Sequence, residues 1–80
     1  MGAYQIFYRL LTGRTGCLDV CEIDTIRFIK EKICYRDGIP ESEMKLLFDG
    51  RLLEDDGNLN GYGIGNGCTI HLIIRLRGAS

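Results

Sequence analysis

The residues that most often form a nucleophile and base pair, cysteine and histidine, are few in this 80-residue chain, which has one histidine and four cysteines. A nucleophilic site needs a base within hydrogen-bond reach of the nucleophile and a third group that orients the base. His71 follows Cys68 by three positions in an alternating apolar segment, so the two side chains would leave opposite faces of a strand. We therefore predict no catalytic site and no enzyme activity.

The cysteines, Cys17, Cys21, Cys34 and Cys68, could in principle bind a metal or form disulfides. None belongs to a C-x-x-C pair, and with a single histidine the paired ligand spacing of a structural zinc site is absent. Cys17 and Cys21 would share one face of a strand but lie too far apart to bond. We predict reduced thiols, no metal and no cofactor, which suits a cytoplasmic or nuclear location.

The glycine-rich segment from Gly61 to Gly67, GYGIGNG, has the composition of a phosphate-binding loop. It lacks the G-x-G-x-x-G spacing and a Lys-Ser or Lys-Thr end, and it leads into a strand instead of opening a helix. Glycines at alternate positions are typical of turns. We predict a surface loop that carries Tyr62 and Ile64 inward.

Length and charge exclude several classes of protein. Eighty residues are enough for one small domain, which we take as residues 1–80. The formal net charge is −1 with acids and bases interspersed, so no field of one sign is present to attract nucleic acid or an anionic membrane. No segment approaches the roughly 18 consecutive apolar residues of a membrane span.

The pattern of apolar residues predicts the order β-β-α-β-β. Two alternating segments, 5–10 and 17–21, flank a turn glycine and form a hairpin. Asp24 and Thr25 are N-cap candidates for a helix that ends at Gly38 and Pro40. Further strands follow at 45–52 and 69–75. So short a chain with this order indicates an α+β protein in which one mixed sheet packs on one helix.

The hairpin also predicts one specific cross-strand pair. If the chain turns about Thr12, residues whose numbers sum to 24 face each other, which places Ile6 opposite Leu18 and Tyr8 opposite Gly16. A tyrosine ring can lie over a glycine on the neighbouring strand and fill the space of the missing side chain. The alternative is that Tyr8 turns outward and Gly16 marks a bulge.

Motifs spread along the chain resemble the ubiquitin family. They fall in one register without a gap from Gln5 to Ala79, and they are Gln5-Ile6-Phe7, Leu11-Thr12-Gly13, Asp24-Thr25-Ile26, Gly38-Ile39-Pro40, Leu53-Glu54-Asp55 and Thr69-Ile70-His71-Leu72. The resemblance implies the β-grasp fold and a protein that acts by being bound. It places the family's main recognition patch on Leu11, Leu47, His71 and Ile73. Alternation along the strands puts Lys45 and Arg75 at its rim.

Strand alternation gives an independent reason to expect that patch at the surface. In the last strand Ile70, Leu72 and Ile74 would share the core face, whereas His71 and Ile73 would share the other face with polar neighbours. Apolar side chains exposed there would mark a protein interaction site. The alternative is that the aliphatic members of the patch are simply core.

The resemblance also gives the C-terminal tail a role. Family tails enter narrow channels of activating, conjugating and deconjugating enzymes, and the last glycine is joined to a lysine. The tail residues here are Arg75, Leu76, Arg77, Gly78 and Ala79, followed by Ser80. Ala79 replaces the family's final glycine, so three interpretations stay open: a modifier weakened by Ala79, a precursor with a residue to trim, or a domain of a longer protein.

We therefore expect a non-enzymatic, monomeric ubiquitin-like protein recognised by proteins of the ubiquitin system through the patch and the tail. Such partners are ubiquitin-binding modules, activating, conjugating or deconjugating enzymes, and proteasome receptors. The alternative is a covalent modifier joined to lysines through its C-terminus by an isopeptide bond. Within this chain Lys30 and Lys32 match family lysines that accept such bonds, whereas arginine, which cannot serve as the acceptor amine, replaces most of the others.

Overall fold

The computed structural model describes residues 3–75, so the predicted tail positions Leu76, Arg77, Gly78 and Ala79 lie outside the described residues. The elements are β1 Ala3–Leu10, β2 Thr15–Cys21, α1 Ile26–Asp37, β3 Met44–Phe48, β4 Arg51–Leu52 and β5 Thr69–Ile74, with single 3-10 turns at Glu41–Glu43 and Asn60–Tyr62. The sheet has the order β2-β1-β5-β3-β4. The central strand β5 runs parallel to β1, and the other neighbouring strands are antiparallel.

This sheet is mixed and packs one face against α1, which confirms the predicted α+β class and the β-grasp fold. The short strand β4 was not predicted as a separate element. It forms because Asp49 and Gly50 both have positive φ, 56° and 79°, which is the geometry of a tight two-residue hairpin turn. Leu52 thereby pairs with Leu47, and Arg51 with Phe48.

The first hairpin has the predicted register. Ile6 is opposite Leu18 and Tyr8 is opposite Gly16. The chain reverses at Gly13, whose φ of 95° favours glycine, and the Gly13 N–H donates to the Leu10 carbonyl.

The helix begins and ends at the cap residues predicted from the sequence. The Thr25 side-chain oxygen accepts a hydrogen bond from the Phe28 N–H at 3.2 Å. Gly38 adopts the left-handed conformation, φ 75°, and its N–H donates to the Cys34 carbonyl. The core face of α1 consists of fully buried isoleucines, Ile26, Ile29 and Ile33.

Tyr8 lies inside this core, over the glycine opposite it. A Cβ atom added to Gly16 would be 2.3 Å from Tyr8 Cζ, so the ring occupies the space that a side chain at Gly16 would need. The Tyr8 hydroxyl donates to the Asp37 carboxylate at 2.5 Å, and Arg14 pairs with the same carboxylate at 3.3 Å. The ring therefore joins the hairpin to the end of the helix.

The glycine-rich segment is a loop with inward anchors, as predicted. Ile64 is buried, and Tyr62 packs against the core while its hydroxyl accepts a hydrogen bond from the Glu54 N–H at 2.9 Å. Gly63 and Gly67 have positive φ, at the points where the loop turns.

Candidate functional site

The predicted recognition patch is assembled where β3 and β5 pair. Leu47 is opposite His71, and Lys45 is opposite Ile73, so these side chains share the sheet face turned away from α1. His71 is exposed, whereas Leu47, Lys45 and Ile73 are half-buried.

The residues that alternate with them are core. Leu46 and Ile70 are fully buried, and Leu72 is 1% exposed. The alternation expected for a sheet with one solvated face therefore holds on both strands. Ile74 departs from the expectation, because it is half-buried at the end of β5 instead of fully enclosed.

Leu11 reaches the same end of the sheet from the β1–β2 turn. Its side chain is 86% exposed. It lines a shallow apolar depression of about 150 Å³ together with Leu10, Thr12, Leu72 and Ile74. Leu72 and Ile74 alternate with the outer-face residues of β5, so these contacts do not bring Leu11 against Leu47, His71 and Ile73, and its place in the patch stays a prediction.

Three basic residues stand beside the patch. Arg9 is the β1 partner of His71 in the parallel pairing, and Lys45 is the β3 partner of Ile73. Arg75 follows β5, is exposed, and its backbone N–H donates to the Glu43 carbonyl at 2.6 Å. Arg9 was not predicted as a patch residue, because only the β1–β5 pairing, which alternation within one strand does not reveal, brings it beside His71.

The candidate nucleophile and base are not brought together. Cys68 packs against the core, and its sulfur accepts a hydrogen bond from the Gly65 N–H at 3.3 Å, whereas His71 is exposed on the outer sheet face. Within residues 3–75 no three His, Cys, Asp or Glu side chains are placed to hold a metal ion. All four cysteines are free thiols. No helix in the described part of the chain is long and apolar enough to cross a membrane.

The candidate acceptor lysines differ in accessibility. The Lys30 side chain is only 12% exposed, and its ammonium pairs with Asp55 at 2.7 Å. Lys32 is 30% exposed, donates to the backbone oxygen of Asp19 and lies 3.8 Å from the Asp24 carboxylate. An acylation reaction at either lysine would have to break these contacts, and Lys30 is the more enclosed of the two.

Comparison with known proteins gives the family of this fold. A sequence profile described as "Ubiquitin family" matches residues 6–77, close to the span over which the motifs align. "Ubiquitin-like protein 1" of Schizosaccharomyces pombe is 36% identical over 72 residues, 90% of this chain and 92% of that protein. "Ubiquitin-like protein NEDD8" of Dictyostelium discoideum is 37% identical over 70 residues, 88% of this chain and 91% of that protein.

A third relative is much longer. "AN1-type zinc finger protein 4" of Mus musculus is 36% identical over 74 residues, which cover 92% of this chain but 10% of that protein. The same domain thus occurs both as nearly the whole of a small protein and as a part of a large one. With the family profile, two small relatives and the β-grasp topology in agreement, the chain belongs to the ubiquitin family, as a ubiquitin-like protein of the ubiquitin system.

Proposed function

We propose that this ubiquitin-like protein acts by being bound and catalyses no reaction itself. Its partners would bind the sheet patch and the tail that follows. The patch consists of Leu11, Leu47, His71 and Ile73, with Lys45 and Arg75 at the rim. Partners of this kind are ubiquitin-binding modules, activating, conjugating or deconjugating enzymes, and proteasome receptors. The whole chain would act as a single monomeric domain in the cytoplasm or the nucleus.

One observation supports this proposal above the others. Leu47 and Ile73 remain partly exposed on adjacent strands, while the residues beside them along the chain, Leu46 and Leu72, are enclosed in the core. Aliphatic side chains gathered on a solvated sheet face contribute little to folding and are typical of protein interaction sites. Desolvating such a centre on contact with a partner is what gives a few residues most of the binding energy.

The basic side chains around the patch indicate which charges a partner would carry beside its apolar anchor. Arg9, Lys45 and Arg75 stand around the patch, so a partner surface with carboxylates at its edge would match it. Such pairs at a solvated rim mainly speed association and exclude wrong partners.

The proposal is tested by titrating isotope-labelled protein with a ubiquitin-binding helical peptide and following the backbone amide signals. We expect shifts at the β3 and β5 positions of the patch. Leu47→Ala should weaken binding by about 1 to 3 kcal/mol, or roughly 5- to 150-fold, with little loss of stability. Ile23→Ala is the matched control, because Ile23 is 75% exposed in the turn before α1 and away from the patch. Equal effects of the two substitutions would contradict the proposal.

The alternative is a covalent modifier, conjugated to lysines through its C-terminus. It is favoured by the similarity to "Ubiquitin-like protein NEDD8" and "NEDD8-like protein RUB1", relatives that match the chain nearly end to end. Incubation with a ubiquitin-type activating enzyme and ATP should then give a thioester adduct on the tail. Ala79→Gly with Ser80 removed is the matched comparison. An adduct only with this variant would show that Ala79-Ser80 prevents conjugation.

A further inference from the structure

The outer face of α1 carries a second apolar surface that the sheet patch does not include. Phe28 and Tyr35 are 44% and 95% exposed. Their separation of seven residues places them on one face of the helix, about 10 Å apart along its axis. Together with Glu31, Lys32 and Arg36 they line a shallow open groove, and these five residues are called the helix stripe below.

The fold does not account for the two aromatic residues of the stripe. The helix is anchored from its opposite face, by Ile26, Ile29 and Ile33, and aromatic residues have lower helix propensity than the alanine, lysine or glutamate usual at exposed positions. Within residues 3–75 the Tyr35 side chain has no hydrogen-bond partner. Lys32 and Arg36, one turn apart, are a like-charge pair of the kind that weakens an isolated helix.

The stripe is also locally basic, although the chain as a whole carries a formal charge of −1. Of the three charged residues of the stripe, two are basic, Lys32 and Arg36, and one is acidic, Glu31. Lys32 and Arg36 donate to backbone oxygens of β2, which are neutral and leave the positive charges largely uncancelled. Asp24 offers only partial compensation, 3.8 Å from the Lys32 ammonium.

The Lys32 ammonium is held within the stripe, 5.0 Å from the centre of the Phe28 ring. An aromatic ring flanked by cations suits a partner that brings apolar side chains and carboxylates together. A basic partner would meet like charge, and a purely acidic one would leave the aromatic rings exposed.

We propose that the helix stripe is a second docking surface, which binds an acidic amphipathic helical segment of a partner protein. Two aliphatic anchors, seven residues apart in that segment, would cover Phe28 and Tyr35, and its carboxylates would approach Lys32 and Arg36. Because α1 covers one face of the sheet and the patch lies on the other, the two surfaces are on opposite sides of the domain. The proposal does not depend on the function proposed for the patch. The stripe is small, so the affinity is weak, with a Kd of about 0.05 to 1 mM.

Three synthetic helical peptides test the proposal by amide chemical-shift titration. One has two leucines seven residues apart among glutamates, the second has the same leucines among lysines, and the third has alanines in place of the leucines among glutamates. We expect saturable shifts at positions 28–36 with the first peptide only. No shift with the first peptide up to about 2 mM, shifts confined to β3 and β5, or equal binding of the lysine peptide would each overturn the proposal.

Two substitutions add a test at single residues. Tyr35→Ser should leave the fold intact, because the side chain is almost fully exposed. It should weaken binding of the first peptide at least about fivefold. Arg36→Glu should weaken it similarly and improve binding of the lysine peptide. Leu11→Ser is the matched control, an exposed apolar residue of the patch at 86%, and should not change binding. If the control weakens binding as much as Tyr35→Ser, the peptide does not bind at the helix stripe.

Discussion

The Tyr8–Gly16 pair makes a quantitative prediction about stability. Any side chain at Gly16 would place its Cβ 2.3 to 2.5 Å from two ring carbons and the hydroxyl oxygen of Tyr8, a separation that real Cβ contacts do not reach. The ring cannot move freely, because Tyr8 is only 2% exposed and its hydroxyl is bonded to Asp37. Gly16→Ile should therefore cost about 2 to 4 kcal/mol, from overpacking of about 1 to 3 and loss of one hydrogen bond of about 1.

The reciprocal change should cost a similar amount and then compensate. Tyr8→Val removes a buried ring and leaves a gap above Gly16, for a loss of about 2 to 4 kcal/mol. In the double variant the isoleucine fills that gap, so the two costs are not additive and the coupling free energy should be about 1 to 3 kcal/mol.

Urea unfolding of the four proteins measures this coupling, provided that the m-value stays constant. Arg9 and Thr15 provide the matched control, because they are the next exposed pair on the same two strands. The cycle of Arg9→Val and Thr15→Ile should give a coupling of about 0.5 kcal/mol or less. If the Tyr8–Gly16 cycle is additive to within that value, the ring does not replace the missing side chain and the reasoning is refuted.

Three further outcomes are expected. Burial, together with the hydrogen bond to Asp37, raises the pKa of Tyr8 to about 12 from about 10, so the neutral phenol stabilises the fold fully below pH 10. The free energy of unfolding should fall by about 2 to 3 kcal/mol as the pH rises to 12. Urea midpoints measured against pH should show this fall, and Tyr8→Phe should remove it. Thr25→Ala should cost about 1 kcal/mol by loss of the N-cap, while Thr25→Ser retains it, as thermal unfolding would show. Ile73→Ala should weaken the binding of a ubiquitin-binding peptide by about 1 to 3 kcal/mol without unfolding the domain. If the variant unfolds and shows no separate binding defect, Ile73 belongs to the core.

Local sequence signals were sufficient for the hairpin and the helix. The turn glycine at Gly13 fixes the register of the hairpin, and Thr25 with Gly38 fixes both ends of α1, because each cap satisfies backbone groups within a few residues of itself. Strand β4 was not predicted as a separate element, because two residues are too few to show the alternation of apolar and polar side chains. The parallel pairing of β1 with β5 joins segments about sixty residues apart, so no local pattern indicates it.

The candidate site was predictable to the same extent. Alternation along β5 placed His71 and Ile73 on the solvated face correctly, but it also placed Ile74 in the core, where the end of the strand leaves it half-buried. Arg9 was missed because it is a neighbour only across the sheet. The helix stripe was not predicted, because the spacing of the isoleucines indicates the buried face of α1 and carries no information about Phe28 and Tyr35 on the opposite face.

The position of Lys32 links chemical modification to aggregation. Strand β2 is an outer strand of the sheet, and Lys32 and Arg36 reach over from α1 to occupy the backbone oxygens of Asp19 and Cys17. An unoccupied strand edge is a template on which another chain can pair. Acylation of Lys32, whether by acetyl transfer or by attachment of another protein, would replace the ammonium with a neutral, bulkier amide and weaken its bond to the Asp19 oxygen. A form of this protein modified at Lys32 would thus protect the outer edge of β2 less well, and Arg36 would still occupy the Cys17 oxygen.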